Sequence, residues 1–208
     1  MPDSVVTSGP QIPFLLTLSC TLFVAILVPI YWWYYGPSNF LWFSDLALFI
    51  TTAALWLESP LLASTQVLSV GFLEMIWLAD FLIQLVSRRK VIGLSAYMFD
   101  PKIPRTIRGL SLFHVVLPFL PIWLVWRLGY DERALLVQTL LAWAVLLSCY
   151  FLTSPKENIN WVFGPGKEQQ RWLRPPVYLL VLMAFFPVCI YFPSHLVLQY
   201  LFGCPVPC

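Results

Sequence analysis

An apolar segment that contains two acids, residues 61–87, limits most strongly what this chain can fold into. A helix needs about 20 mostly apolar residues to cross the hydrocarbon of a bilayer, so this segment is long enough to span it. Glu74 and Asp80 lie inside it, although a charge in the middle of a spanning helix costs about 2.5–3.5 kcal/mol. We therefore expect a membrane protein whose function lies near these acids.

The composition agrees with that expectation. Hydrophobic residues make up 60% of the 208 residues and charged residues only 11%, whereas a soluble domain is about 25% charged. A net charge of +2 is too small to indicate nucleic-acid binding, and the basic residues lie between apolar runs. The lipid bilayer is the expected partner, with no nucleic acid, and the sequence indicates no particular protein partner.

The five cysteines lack the spacing of a metal site, so we predict no bound metal from them. Cys20, Cys149 and Cys189 fall inside apolar runs, where a thiol behaves as a small hydrophobic group. Cys204 and Cys208 flank a proline-rich link, which is too extended for the two to pair without a turn.

The apolar runs predict an all-α, polytopic bundle of six transmembrane helices in a single domain, residues 1–208. We expect prolines 118 and 121 to kink the fourth helix, and prolines 187 and 193 to interrupt the sixth. No internal repeat of the kind found in inverted-repeat transporters is visible. The six helices are expected at about 13–30, 39–56, 61–87, 109–128, 134–153 and 177–202.

The basic residues predict the orientation of the bundle. The loop between the third and fourth helices holds six lysines and arginines, and the loop between the fifth and sixth holds four. The opposite side has only Arg127 and Arg133. By the positive-inside rule, both basic loops face the cytosol and both termini lie on the external side. We expect the cell membrane as the location, a bacterial inner membrane first of all.

Three ionisable side chains are predicted at a common depth. Asp45, Asp80 and His114 lie about 8–10 Å from the cytosolic ends of three helices, counted at 1.5 Å per residue. A carboxylate beside a histidine orients the imidazole and raises its basicity, as a general base requires. These three are the candidate catalytic residues, with Thr52, on the stripe of Asp45, as candidate nucleophile. Glu74 lies deeper, about 20 Å from the cytosolic face.

Other interpretations of the polar residues stay open. The cluster could be a structural network, and a metal held by two carboxylates and an imidazole lacks a local Glu-x-x-His motif. His114 and His195 lie near opposite faces and could not share a haem, and no helix holds a lysine for retinal. The cofactor is therefore unknown. Asn158 and Asn160 could form a lid over the cluster, or cap a helix while Trp161 anchors the loop.

A six-helix bundle with an intramembrane threonine and histidine resembles the androgen-induced hydrolases of hydroxy-fatty-acid esters. The resemblance rests on topology and on one pair of residues, Thr51 or Thr52 with His114. It implies hydrolysis of a lipophilic ester within the membrane.

Three functions follow as hypotheses. The first is a small enzyme that acts on a lipid or another lipophilic molecule at the cytosolic leaflet. The second is a non-catalytic subunit or scaffold whose polar residues hold helices together. The third is a proton-coupled carrier, with Glu74 as the midplane acid of a proton path and Asp80 below it.

The orientation can be tested with reporter fusions. Alkaline phosphatase fused after Arg108 should be inactive because that site is cytosolic, whereas the same reporter after Cys208 should be active. An active fusion after Arg108 would reverse the orientation and every depth that was counted from it.

Overall fold

The computed structural model describes residues 12–166 and 169–202, and it is helical without strands over that part of the chain. Five helices are long and apolar enough to cross a membrane, and the second is a shorter apolar helix. The chain is therefore a polytopic helical membrane bundle, as predicted. Its helices are α1 (Phe14–Tyr35), α2 (Phe43–Leu57), α3 (Pro60–Ser87), α4 (Arg105–Leu128), α5 (Ala134–Leu152) and α6 (Pro175–Phe202).

Two helices contain a π-helical turn, at Val67–Gly71 in α3 and at Phe186–Tyr191 in α6. Pro187 accounts for the turn in α6, because proline has no N–H to donate to the preceding turn. This interruption was predicted at Pro187, whereas nothing in the sequence analysis indicated the π turn in α3. Cys204 and Cys208 lie outside the described residues.

α4 is divided into three helical pieces, Arg105–Leu110, Phe113–Val116 and Phe119–Leu128. The second break lies at residues 117–118, because Pro118 cannot donate a backbone hydrogen bond. The first break, at residues 111–112, was not predicted. His114 lies on the short piece between the two breaks, so its direction is set locally.

α3 occupies the interior of the bundle. Half of its most apolar stretch, 50%, is buried, compared with 17% for α1. The exposed side chains of the long helices are largely apolar, and α1 leaves Leu15, Leu22 and Ile26 uncovered. This distribution suits a bundle that contacts lipid on its outside and places polar groups of α3 inside.

Asp80 holds the loop that follows α3. One carboxylate oxygen accepts the backbone N–H groups of Ile92 and Gly93 at 2.9 and 3.1 Å. The other accepts the N–H and the hydroxyl of Ser95 at 2.9 and 2.8 Å. We predicted that Asp80 and His114 belong to one cluster, and this prediction is wrong. The carboxylate of Asp80 points to the loop after α3 and holds that loop against the end of the helix.

Replacement of Asp80 should destabilise this loop. Asp80→Ala removes the acceptor of three backbone N–H groups, so we expect the free energy of unfolding to fall by about 2–4 kcal/mol. Thermal unfolding in micelles and tryptic cleavage at residues 88–90 would measure the effect. Asp131→Ala, at the other end of the bundle, is the control. Unchanged stability and unchanged trypsin resistance of Asp80→Ala would contradict this role.

Candidate functional site

A cavity of about 800 Å³ lies at the end of the bundle that carries the loops 88–104 and 153–174, called here the basic end. Small-molecule sites in proteins usually enclose about 300–1,000 Å³, and the volume of this cavity falls within that range. Parts of α1 to α4 and both loops contribute to its wall. The polar side chains that line it include Tyr31, Asn39, Asp45, Glu74, Ser111 and His114.

Glu74 and His114 form a hydrogen-bonded pair in this cavity. The distance between Glu74 Oε2 and His114 Nδ1 is 2.8 Å, and the two side chains are 7% and 13% exposed. The imidazole is stacked between Trp77 and Phe113, with ring centroids 4.7 and 4.2 Å away. Its orientation is therefore set by packing on both faces and by the carboxylate at one edge.

The pairing leaves the other ring nitrogen available. If Nδ1–H donates to Glu74, the neutral imidazole carries a lone pair on Nε2. Within the described residues, Nε2 forms no hydrogen bond. A carboxylate that orients a histidine in this way is the arrangement of a general base. His114 is bonded to a carboxylate, but that carboxylate belongs to Glu74, which was predicted as a separate, deeper acid, and the predicted pairing with Asp45 or Asp80 is wrong.

Asp45 lies in the same cavity without a direct contact to the histidine. Its side chain is buried, Oδ2 accepts a 3.3 Å hydrogen bond from Asn39, and Oδ1 has no partner within the described part of the chain. Asp45 interacts electrostatically with both His114 and Glu74. The cavity therefore contains one imidazole and two carboxylates.

Thr52 is not among the residues that line the cavity. Its hydroxyl donates to the backbone carbonyl of Leu48 at 2.8 Å, one turn earlier in α2. Ser44 and Ser111 do line the cavity, and the hydroxyl of Ser111 is 2.6 Å from the hydroxyl of Tyr31. Sequence analysis missed Ser111, although its position one helical turn before His114 was a usable signal.

The loop after α5 covers one side of the cavity in a strained conformation. Asn158, Asn160 and Trp161 have positive φ angles of 44°, 51° and 58°. A bulky residue such as tryptophan rarely adopts the left-handed region, so the surroundings must hold this loop in place.

Hydrogen bonds of two asparagines hold the loop. Asn160 accepts from the N–H of Phe43 at 3.1 Å and donates to the carbonyl of Leu41 at 2.7 Å, which joins the loop to the start of α2. Asn158 donates to the carbonyl groups of Gly164 and Gly166 at 2.8 and 2.7 Å. Both asparagines line the cavity as a fixed part of its wall in this structure.

The mouth of the cavity carries Lys90, Lys156 and Glu157. The hydroxyl of Ser38 and the N–H of Ser154 donate to Glu157, and these hydrogen bonds hold its pKa below the usual range. Glu157 is therefore ionised at neutral pH and bridges two loops. The rim therefore carries two lysines and one carboxylate, whereas the interior carries Asp45 and Glu74 with His114.

Other predicted groups lie elsewhere. His195 is hydrogen-bonded to Tyr130, at the opposite end of the bundle from the cavity, with 2.6 Å between Nδ1 and the phenol oxygen. Within residues 12–166 and 169–202, no three His, Cys, Asp or Glu side chains are grouped so that they could hold a metal ion.

A change at Asn160 tests how far the loop depends on its amide. Asn160→Asp cannot donate to the carbonyl of Leu41 and places two oxygens against each other, so the free energy of unfolding should fall by about 1–3 kcal/mol. Thermal unfolding would measure it. Ser38→Ala removes only an exposed hydrogen bond to the same loop and should cost less than about 1 kcal/mol. Equal effects of the two changes would show that the amide does not hold the loop.

Comparison of the chain with family models, with curated proteins and with solved structures finds no match. The likeness to the androgen-induced ester hydrolases stays an analogy of topology and of two residues.

Proposed function

We propose that this multi-pass membrane protein is a small enzyme that performs acid–base chemistry on a lipophilic substrate. The observation that carries the proposal is the Glu74–His114 pair, 2.8 Å apart, in the wall of a cavity of about 800 Å³. A catalytic base must be oriented and must also be reachable by a substrate. His114 meets the first condition through its stacking and its hydrogen bond, and the second through the cavity.

The chemistry assigns a role to each member of the pair. Nε2 of His114 accepts a proton from the substrate or from a water molecule, and Glu74 stabilises the imidazolium that forms. A positioned base of this kind contributes about 10²–10⁴-fold to a rate. Asp45 is not bonded to the histidine, so its role is electrostatic, through its charge beside the pair.

The substrate is expected to enter from the membrane leaflet at the basic end. The cavity lies between the ends of spanning helices, and its wall includes apolar side chains such as Val70 and Leu73. Under the positive-inside rule this end is cytosolic, which places the reaction at the inner leaflet of the cell membrane. A lipophilic substrate would need only to move sideways and partly out of the bilayer.

Loss of the base should abolish turnover without unfolding the protein. His114→Asn can still donate a hydrogen bond to Glu74 but offers no basic nitrogen, so we expect conversion to fall by at least about 100-fold. The purified variants would be incubated with a total lipid extract, and the products measured by mass spectrometry. Asp131→Asn, at the opposite end, is the matched control and should convert lipid like the wild type.

Two outcomes would reject the enzyme hypothesis. If the wild type converts no lipid and His114→Asn only lowers the melting temperature, the pair is structural and the subunit hypothesis is favoured. If the wild type in liposomes shows a pH-dependent flux that Glu74→Gln abolishes, the protein is a carrier. Conversion that survives in His114→Asn would remove the histidine from the mechanism.

A further inference from the structure

We infer that the ligand of this cavity is an amphiphile with a protonated amine, and that Asp45 binds the ammonium group. The inference rests on the proposed function, since it names the substrate class of the same site. Its basis is a buried carboxylate, one oxygen of which has no hydrogen-bond partner within the described residues.

The interior of the cavity contains more carboxyl groups than basic groups. Asp45 and Glu74 both line it, and His114 is the one imidazole beside them in the described part of the chain. Glu74 is occupied by the histidine, whereas Oδ1 of Asp45 has no hydrogen-bond partner there and Oδ2 has only the 3.3 Å contact with Asn39. A buried carboxylate without a partner is unfavourable, so a cationic ligand would stabilise Asp45 by supplying one.

The lysines at the mouth do not supply this charge. Within the described residues, neither Lys90 nor Lys156 forms a salt bridge with a carboxylate. The side chain of Lys90 lies back over Gly93, where a Cβ atom would come within 2.2 Å of its Cε. Lys90 is therefore packed on its own loop, although it also lines the cavity.

Aromatic rings complete a site for an organic cation. Tyr31 and Tyr35 line the cavity and interact electrostatically with Asp45, and Trp42 lies in the same wall. A ring face attracts a cation within about 6 Å of its centroid. Trp77 does not offer a face, because both of its sides are covered by Phe81 and His114. Tyr31, Tyr35 and Trp42 are therefore the rings of the cavity wall that we assign to the cation.

The apolar part of the wall selects an amphiphile over a small ion. Val70 and Leu73 of α3 line the cavity, and they lie on the helix that carries Glu74. An ammonium group at Asp45 would bring the neighbouring carbon chain against these side chains and towards the lipid. A bare metal ion would leave this surface uncovered.

Binding of matched eight-carbon probes tests the inference without any turnover. Octylamine is protonated at neutral pH, as a lysine side chain is, whereas octanol is neutral and octanoate is anionic. In uncharged maltoside micelles, octylamine should raise the melting temperature with an apparent affinity at least about tenfold higher than that of octanol. Asp45→Asn should reduce octylamine binding by about tenfold and leave octanol binding unchanged.

The binding and conversion measurements test the inference and the enzyme hypothesis separately. Equal binding of octylamine and octanol, or tighter binding of octanoate, would overturn the inference, and this comparison needs only the wild type if Asp45→Asn does not fold. Asp131→Asn should bind octylamine like the wild type, and a loss there would show that general surface charge is responsible. Octylamine binding without conversion of any lipid would reject the enzyme hypothesis alone. Conversion of lipids without an amine, with no octylamine binding, would reject the inference alone.

Discussion

A carboxylate within a spanning helix is costly unless it has a partner, and α3 carries two of them. The two side chains leave the helix in different directions, because positions six residues apart differ by about 120° around the axis of an α-helix. Asp80 turns to the loop that follows α3 and receives four hydrogen bonds from it. Glu74 turns to α4 and meets His114. The position of the loop and the position of the candidate base both depend on these two contacts.

The wall of the cavity is held mainly by side-chain amides and carboxylates that bond to backbone groups. Asp80 holds the loop after α3. In the loop after α5, Asn160 bonds to the segment before α2, and Asn158 bonds to a carbonyl group later in the same loop. Backbone that is neither helix nor strand needs such partners, because unpaired N–H and carbonyl groups are costly near lipid. The positive φ angle of Trp161 is maintained by the same contacts. Rigid loops of this kind let a membrane protein keep a defined cavity beside the bilayer.

The helices could be predicted from the sequence because length and hydropathy are local properties, and α5 begins where expected and ends one residue earlier. The hydrogen-bond partner of His114 could not be predicted from the sequence. The predicted depth of His114 was counted from a helix start at Gly109. In the structure α4 begins four residues earlier, at Arg105, which makes the helix about 6 Å longer at 1.5 Å per residue. The corrected count gives about 14 Å for His114 against about 20 Å for Glu74, and the 2.8 Å contact between the two side chains shows that they meet. The break at residues 111–112 also has no signal in the local sequence.

The acid–base pair and the unpaired carboxylate have opposite requirements, and the cavity separates them by geometry. A histidine that accepts a proton needs a neighbouring carboxylate, which Glu74 provides at 2.8 Å. A carboxylate that binds a cation must stay free of such a neighbour, and Asp45 has no hydrogen bond to the imidazole. If Asp45 were bonded to His114 in place of Glu74, the cavity would hold a base but no group for an ammonium ion. Because His114 bonds to Glu74 and not to Asp45, the proposed base and the proposed ammonium site use different carboxylates of the same cavity.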